Sequence, residues 1–177
     1  MTTEPDPILD QLPALRRYAL ALSRNDAEAD DLVQETLLRG HENRRGIRMG
    51  GNIRAWLFTI LRNIFLDRLR SRRAERRRHD TLAAIAPQAM DAPQDAAMRL
   101  AQLRGAFMDL PDDQREALSL VAIEGMTYAE AAELAGVPLG TLMSRVGRAR
   151  AQLRAFEEGK TPARGLKLVG GRDAAGK

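Results

Sequence analysis

The chain contains no cysteine. That excludes a disulfide framework, a thiolate metal site and a thiol nucleophile. Its two histidines, His41 and His79, lie far apart in sequence, which argues against a histidine-based metal site. Aromatic residues make up only 4% of the composition, and no apolar run approaches the roughly 18 residues that a membrane span requires. The opening Met-Thr-Thr-Glu-Pro-Asp is acidic and lacks an apolar stretch, unlike a secretory signal. The expected location is therefore the cytoplasm, without membrane insertion. No catalytic residue, metal or cofactor is expected.

What is present is 177 residues, 44% hydrophobic and 29% charged, rich in Ala, Leu and Arg with few β-branched runs. That composition predicts an all-α protein of one domain or two small ones. Charge comes in blocks. Residues 1–38 hold 3 basic and 8 acidic residues, residues 39–80 hold 13 and 4, residues 81–135 hold 3 and 9, and residues 136–177 hold 9 and 3. Each half thus begins acidic and ends basic. Of the 28 basic residues 25 are arginine, the side chain suited to bidentate phosphate and guanine contacts. Two basic segments parted by acidic ones suggest two nucleic-acid surfaces.

Apolar spacing predicts a first helix over residues 7–23, with Ile8, Leu12, Leu15, Ala19 and Leu22 inward and Pro7 in its first turn. Asn25 or Asp26 caps a second helix running to Glu42, with Ala29, Leu32, Val33 and Leu37 on one face and Asp30, Asp31, Gln34 and Glu35 on the other. Residues 43–51 form a basic loop with three glycines. Asn52 caps a long third helix whose stripe is Ile53, Trp56, Leu57, Ile60, Leu61 and Ile64, after which arginine takes over to Arg78. Arg54, Arg62, Asn63 and Arg70 are expected near one face, away from Trp56 and Ile60. Pro87 and Pro93 argue against a helix through 81–96, which reads as a flexible linker.

The second half opens near Asp95 with Ala97, Leu100, Leu103 and Phe107 as its apolar positions. Pro111 starts the next helix, with Asp112 and Asp113 in its first turn and Ala117, Leu118, Val121 and Ile123 inward. Gly125 ends it. Thr127-Tyr128-Ala129-Glu130 is a capping box, Gly136-Val137-Pro138 a tight turn, and Leu139 to Glu157 the last helix. Residues 158–177 are expected to be a disordered tail. Residues 127–156 have the pattern of a helix-turn-helix, whose second helix enters the major groove. With Val137, Leu142 and Val146 facing the core, Thr141, Ser144, Arg145 and Arg148 point outward as DNA-contact candidates.

Taken together these segments resemble the extracytoplasmic-function sigma factors of bacterial RNA polymerase. The likeness covers about residues 10–156 and rests on four stretches in the family's order. They are Ala29 to Thr36, Asn52 to Asn63 (with Asp67 and Arg70 beyond), Leu110 to Ala117, and Met126 to Ala132 running on to Gly140 through Arg150. The resemblance implies two small helical domains, residues 1–80 and 97–157, joined by the linker 81–96, with partners core RNA polymerase, promoter DNA and a separate anti-sigma protein. It implies that Asp30, Asp31, Gln34 and Glu35 dock on the polymerase. It also implies that Arg44, Arg45, Arg48, Asn52, Arg54, Arg62 and Asn63 read and open the downstream (−10) promoter element. The helix-turn-helix would read the upstream (−35) element as duplex. Met143 and Gly147 depart from the larger polar, basic or aromatic residues that many members carry on the DNA face.

Two other readings compete. One is a stand-alone dimeric helix-turn-helix regulator, with residues 1–80 for sensing or dimerisation. The other is a nuclease using Asp30, Asp31 and Glu35 around a metal. The carboxylates fall on one exposed helix face with no second acidic element aligned, which disfavours the nuclease. The sequence leaves open how the two domains sit relative to one another.

Overall fold

The computed structural model describes residues 6–43, 52–78 and 95–159, and these are helical apart from short turns. After one 3-10 turn at Leu9–Gln11 come α1 (Leu12–Ser23), α2 (Asp26–Glu42) and α3 (Ile53–Arg78). The second half holds α4 (Asp95–Met108), α5 (Asp112–Leu118), α6 (Tyr128–Ala135) and α7 (Leu139–Glu157). A π-helical turn, Ser119–Ile123, extends α5. The linker expected over 81–96 and the tail over 158–177 fall mainly outside the described residues. Within them, Asp95 already begins α4, and Glu158 and Gly159 form the turn that ends α7.

Helix ends follow local chemistry. The α-helical part of the first segment starts at Leu12 rather than near Pro7, with Pro13 in its first turn, where a missing N–H costs nothing. Asn25 Oδ1 accepts from the Glu28 amide at 2.9 Å and Asn52 Oδ1 from the Ala55 amide at 3.1 Å, so both asparagines cap as expected. α1 closes on Arg24 in the left-handed conformation at φ 59°.

α1 and α2 form an antiparallel hairpin against which α3 packs. Leu15, Leu22, Ala29, Leu32, Val33, Leu57, Leu61 and Ile64 are buried between them. Each such leucine or isoleucine stabilises the fold by about 1.5–3 kcal/mol. Gly40 lets α2 and α3 approach closely: a Cβ there would lie 2.9 Å from Leu57 Cδ2. In the second half, Leu110, Ala117, Leu120, Ala131, Ala132, Leu142, Val146 and Ala149 are buried. Four positions expected to face inward are exposed, Leu12 at 43% and Ala97 among them. Leu100 is 69% exposed: it shares its face with the partly buried Leu103 and Phe107, as expected, but lies nearer the start of α4, where residues 97–102 are all exposed. Ile123 is 46% exposed because the π turn, closed by the Glu124 amide on the Ser119 carbonyl, inserts a residue and rotates the face; Glu124 takes the inward place.

The two halves share one continuous apolar core. Tyr18 of α1 stacks on Phe58 of α3 with ring centroids 4.8 Å apart, and its hydroxyl donates to Glu116 of α5 at 3.0 Å. Phe58 was not on the expected stripe of α3; it is fully buried on the side that meets the second half. Arg115 of α5, 1% exposed, donates to the Ala21 and Leu22 carbonyls at the end of α1, to the Leu110 carbonyl at 2.8 Å and to Asp112 at 2.8 Å. Arg24 reaches across from α1 to the Leu110 carbonyl and to Asp112, both at 2.8 Å. This interface fixes the relative placement that the sequence left open.

Candidate nucleic-acid interface

The helix-turn-helix is assembled by local signals. Thr127 Oγ1 accepts from the Glu130 amide at 3.2 Å and Glu130 returns to the Thr127 amide at 2.9 Å, which completes the capping box at the start of α6. The Thr127 hydroxyl also donates to Glu130 Oε2 at 2.7 Å, and this bond, with that from the Thr127 amide, holds the Glu130 carboxyl below its ordinary pKa. Gly136 ends α6 at φ 63°, a conformation that glycine adopts without a Cβ clash. Ala131 and Ala132 are buried where α6 crosses α7, and Leu142, Val146 and Ala149 anchor α7. That leaves Thr141, Ser144 and Arg148 exposed along the first turns of α7, as expected. Arg145 lies lower on the same side, 23% exposed, with its Nε 3.1 Å from Asp113 Oδ2 at the start of α5. Asp113, Gly140, Thr141, Ser144, Arg145 and Arg148 line one open depression of about 380 Å³. Five polar side chains from two elements therefore converge on it.

The first half places its candidates differently. Arg44, Arg45 and Arg48 lie outside the described residues. Asn52 is exposed and occupied as a cap; Asn63 is exposed. Arg54 and Arg62 do not share a free face with Asn63 and Arg70. At 3.6 residues per turn, Arg54, Phe58 and Arg62 lie on the side turned to the second half, and Asn63 and Arg70 point to solvent. Arg62, 18% exposed, donates through Nε to Glu116 Oε1 at 2.6 Å. Arg54 pairs with Glu124 and lies over the Phe58 ring at 5.5 Å. Glu124, whose side chain is fully buried, also accepts two bonds from Arg17 at 2.9 and 3.0 Å. Burial works to lower the Arg62 pKa, but its hydrogen bond and charge attraction to Glu116 outweigh that and raise it. Burial and the adjacent Glu116 charge push the Tyr18 hydroxyl well above its usual range.

On α2, Asp31 and Gln34 are exposed. Asp30 is exposed but accepts from Arg16 Nε at 2.9 Å. Glu35 is not part of a free acidic face: it is half-buried and held at 2.6 Å by both Arg39 and Arg68, tying α2 to α3. Trp56 is half-buried against the core.

Sequence reasoning missed the buried polar set Tyr18, Glu116, Glu124 and Arg115. A signal for two of them was present. Glu116 and Glu124 stand on either side of Ala117 to Ile123, apolar but for Ser119, an arrangement that buries an acid only if arginine meets it. Among the described residues, no helix is long and apolar enough to cross a membrane.

Comparison with known proteins gives a consistent picture. Two family models match: the Sigma2 domain of PhyR over residues 8–62 and Sigma-70, region 4 over residues 100–153. Over 152 residues the sequence is 46% identical to the ECF RNA polymerase sigma factor EcfG of Rhodopseudomonas palustris (strain TIE-1), a match spanning 85% of this chain and 83% of that protein. Among solved structures it is similar to the sigma factor RpoE in complex with the anti-sigma factor NepR from Bartonella quintana. That likeness has a TM-score of 0.74 and 39% identity and covers 85% of this chain and 94% of the other. It is also similar to CnrH in complex with the cytosolic domain of CnrY, with a TM-score of 0.60, 28% identity and coverage of 87% and 86%.

Proposed function

The chain belongs to the extracytoplasmic-function sigma factors of RNA polymerase, and from that membership we propose how its two halves divide promoter recognition. Residues 1–80 are the region 2-like domain and residues 97–157 the region 4-like domain. In the first, Asp31 and Gln34, with Asp30 beside them, meet a basic surface of the polymerase, while Glu35 holds that face in shape through Arg39 and Arg68. Arg44, Arg45, Arg48, Asn52, Arg54, Arg62 and Asn63 serve the −10 element. Melting there is offset by capture of an unstacked base, against an unstacking cost of a few kcal/mol. In the second, Thr141, Ser144, Arg145 and Arg148 read the −35 element in the major groove. The chain itself performs no covalent step; it directs where the polymerase starts. It works in the cytoplasm, where that polymerase acts.

The observation that carries this reading is the helix-turn-helix with its outward polar row on α7, joined in one chain to a helical unit with an acidic α2 face. The packed arrangement is the resting form. Arg54 and Arg62 are engaged by Glu124 and Glu116, so presenting them to a promoter requires the halves to separate. Two similar solved proteins are complexes, one of them of a sigma factor with an anti-sigma factor. By that likeness a separate anti-sigma protein controls this chain.

Run-off transcription with purified core polymerase on random-promoter templates tests the proposal. Saturable polymerase binding and new discrete start sites are expected. Tight, sequence-specific duplex binding without polymerase, and no binding to it, would favour the stand-alone regulator instead. Asp31→Arg should weaken polymerase binding while leaving the thermal transition in place. Unchanged binding would remove Asp31 from that site.

A further inference from the structure

We propose that Asp113 is a specificity-determining residue of the upstream-element surface, acting by positioning Arg145. This rests on the reading of α7 as the helix that enters the major groove. Asp113 belongs to α5, outside the recognition helix, and carries the charge that DNA repels. Its place beside Arg145 therefore calls for a reason.

The geometry supplies one. Asp113 Oδ2 lies 3.1 Å from Arg145 Nε, with Arg145 23% and Asp113 49% exposed. Both line the depression with Gly140, Thr141, Ser144 and Arg148. A Cβ added at Gly140 or Gly147 would meet nothing within 4 Å, so no protein atom fills the space above these positions. A guanidinium has five N–H donors in a rigid fork. The ion pair sets the carboxylate on the Nε side of the guanidinium, and the two terminal amino groups are left as one planar two-donor edge. Guanine presents O6 and N7 as two acceptors in the major groove, which match that edge.

The carboxylate also acts against the competing partner. Arginine bonds phosphate oxygens readily, and such contacts carry no sequence information. A phosphate approaching Arg145 here meets the charge of Asp113 at close range, whereas the neutral edge of a base does not. Asp113 thus lowers general affinity for DNA and raises the difference between the right base and the backbone, as specificity built on repulsion requires. Thr141, Ser144 and Arg148, exposed around it, remain available for phosphate contacts.

The test uses holoenzyme reconstituted from core polymerase and the full chain, transcribing a template library randomised in the upstream element. Arg145→Ala identifies the position that Arg145 reads, as a loss of guanine preference there. Asp113→Asn should lower guanine preference at that same position about tenfold, the scale of one bidentate base contact. Preferences elsewhere, polymerase binding and the thermal transition should stay as in the unaltered chain. Asp113→Glu should restore part of the preference. If Asp113→Asn leaves the preference intact, Arg145 is oriented without it and the proposal falls. It falls equally if every position loses preference together, the mark of a general structural effect. Should Arg145→Ala change no single position, Arg145 reads no base and the proposal is wrong, while the sigma reading stands. An unaltered holoenzyme that initiates nowhere would overturn the sigma reading, and this inference with it.

Discussion

Replacing Glu124 by glutamine should shift the balance between packed and separated halves by about 2 kcal/mol toward separation. The figure follows from the site's asymmetry. Removing one partner of a fully buried ion pair costs about 3–5 kcal/mol, and an exposed pair contributes about 0.2–1 kcal/mol. Glu124 is fully buried, but Arg17 is 50% exposed and Arg54 34%, so both arginines can return to water. The cost falls between those limits. Two kcal/mol multiplies the separated population about thirtyfold, at about 1.4 kcal/mol per decade. Because the chain has no cysteine, single cysteines introduced at the exposed Ser71 and Gln152 can carry a donor and an acceptor dye. Energy transfer should fall in Glu124→Gln and the urea midpoint of the packed form should drop. In a double-mutant cycle, Arg54→Gln should add little once Glu124 is gone. Equal energy transfer in the variant and the unaltered chain, or full additivity with Arg54→Gln, would refute the idea that this triad holds the halves together.

Other perturbations have equally definite outcomes. Above about pH 10 an exposed tyrosine ionises while buried Tyr18 keeps its proton, so the packed state holds the extra proton and loses stability as pH rises. The expected slope is about 1.4 kcal/mol per pH unit until Tyr18 itself ionises, and Tyr18→Phe should abolish it in denaturation midpoints followed by circular dichroism. Asp112, whose burial works to raise its pKa, is held below the ordinary carboxylate range by Arg115 and Arg24. Its contribution is present above the unfolded carboxylate pKa and is lost as pH falls through the lowered one, so Asp112→Asn should flatten the acid limb of the stability profile. Gly40→Val should destabilise the first half by about 2 kcal/mol, since its side chain has to displace buried Leu57; scanning calorimetry reads this directly.

The features legible in the sequence were those decided within a few residues. Thr127 and Glu130 cap α6 through bonds spanning three positions, and Gly136 stops it by its own backbone freedom, so the helix-turn-helix could be read before any packing was known. Asn25 and Asn52 are of the same kind. Ile123 was misplaced because a single π turn shifts the register, and no local residue type announces one. Leu100 shares a face with the partly buried Leu103 and Phe107, but it lies nearer the start of α4, where residues 97–102 are all exposed. Arg54 and Arg62 show the deeper limit. Sequence gives their charge, but whether water, phosphate or a carboxylate holds it depends on where Glu116 and Glu124 arrive from residues far along the chain. The same limit applies to Glu35, whose partner Arg68 lies on another helix.

Arg24 sits where local and long-range preferences disagree. Its left-handed backbone is a conformation that helix ends usually give to glycine, and a non-glycine residue there carries a steric penalty. That penalty belongs to the turn after α1 and is the same whether the halves are packed or apart. The benefit exists only when they are packed, because the side chain spans to Leu110 and Asp112. A glycine at this position would relax α1 in both states and erase the bridge in one. Drift at residue 24 therefore gives evolution a way to tune how readily the two halves part without altering the acidic face of α2 or the polar row of α7.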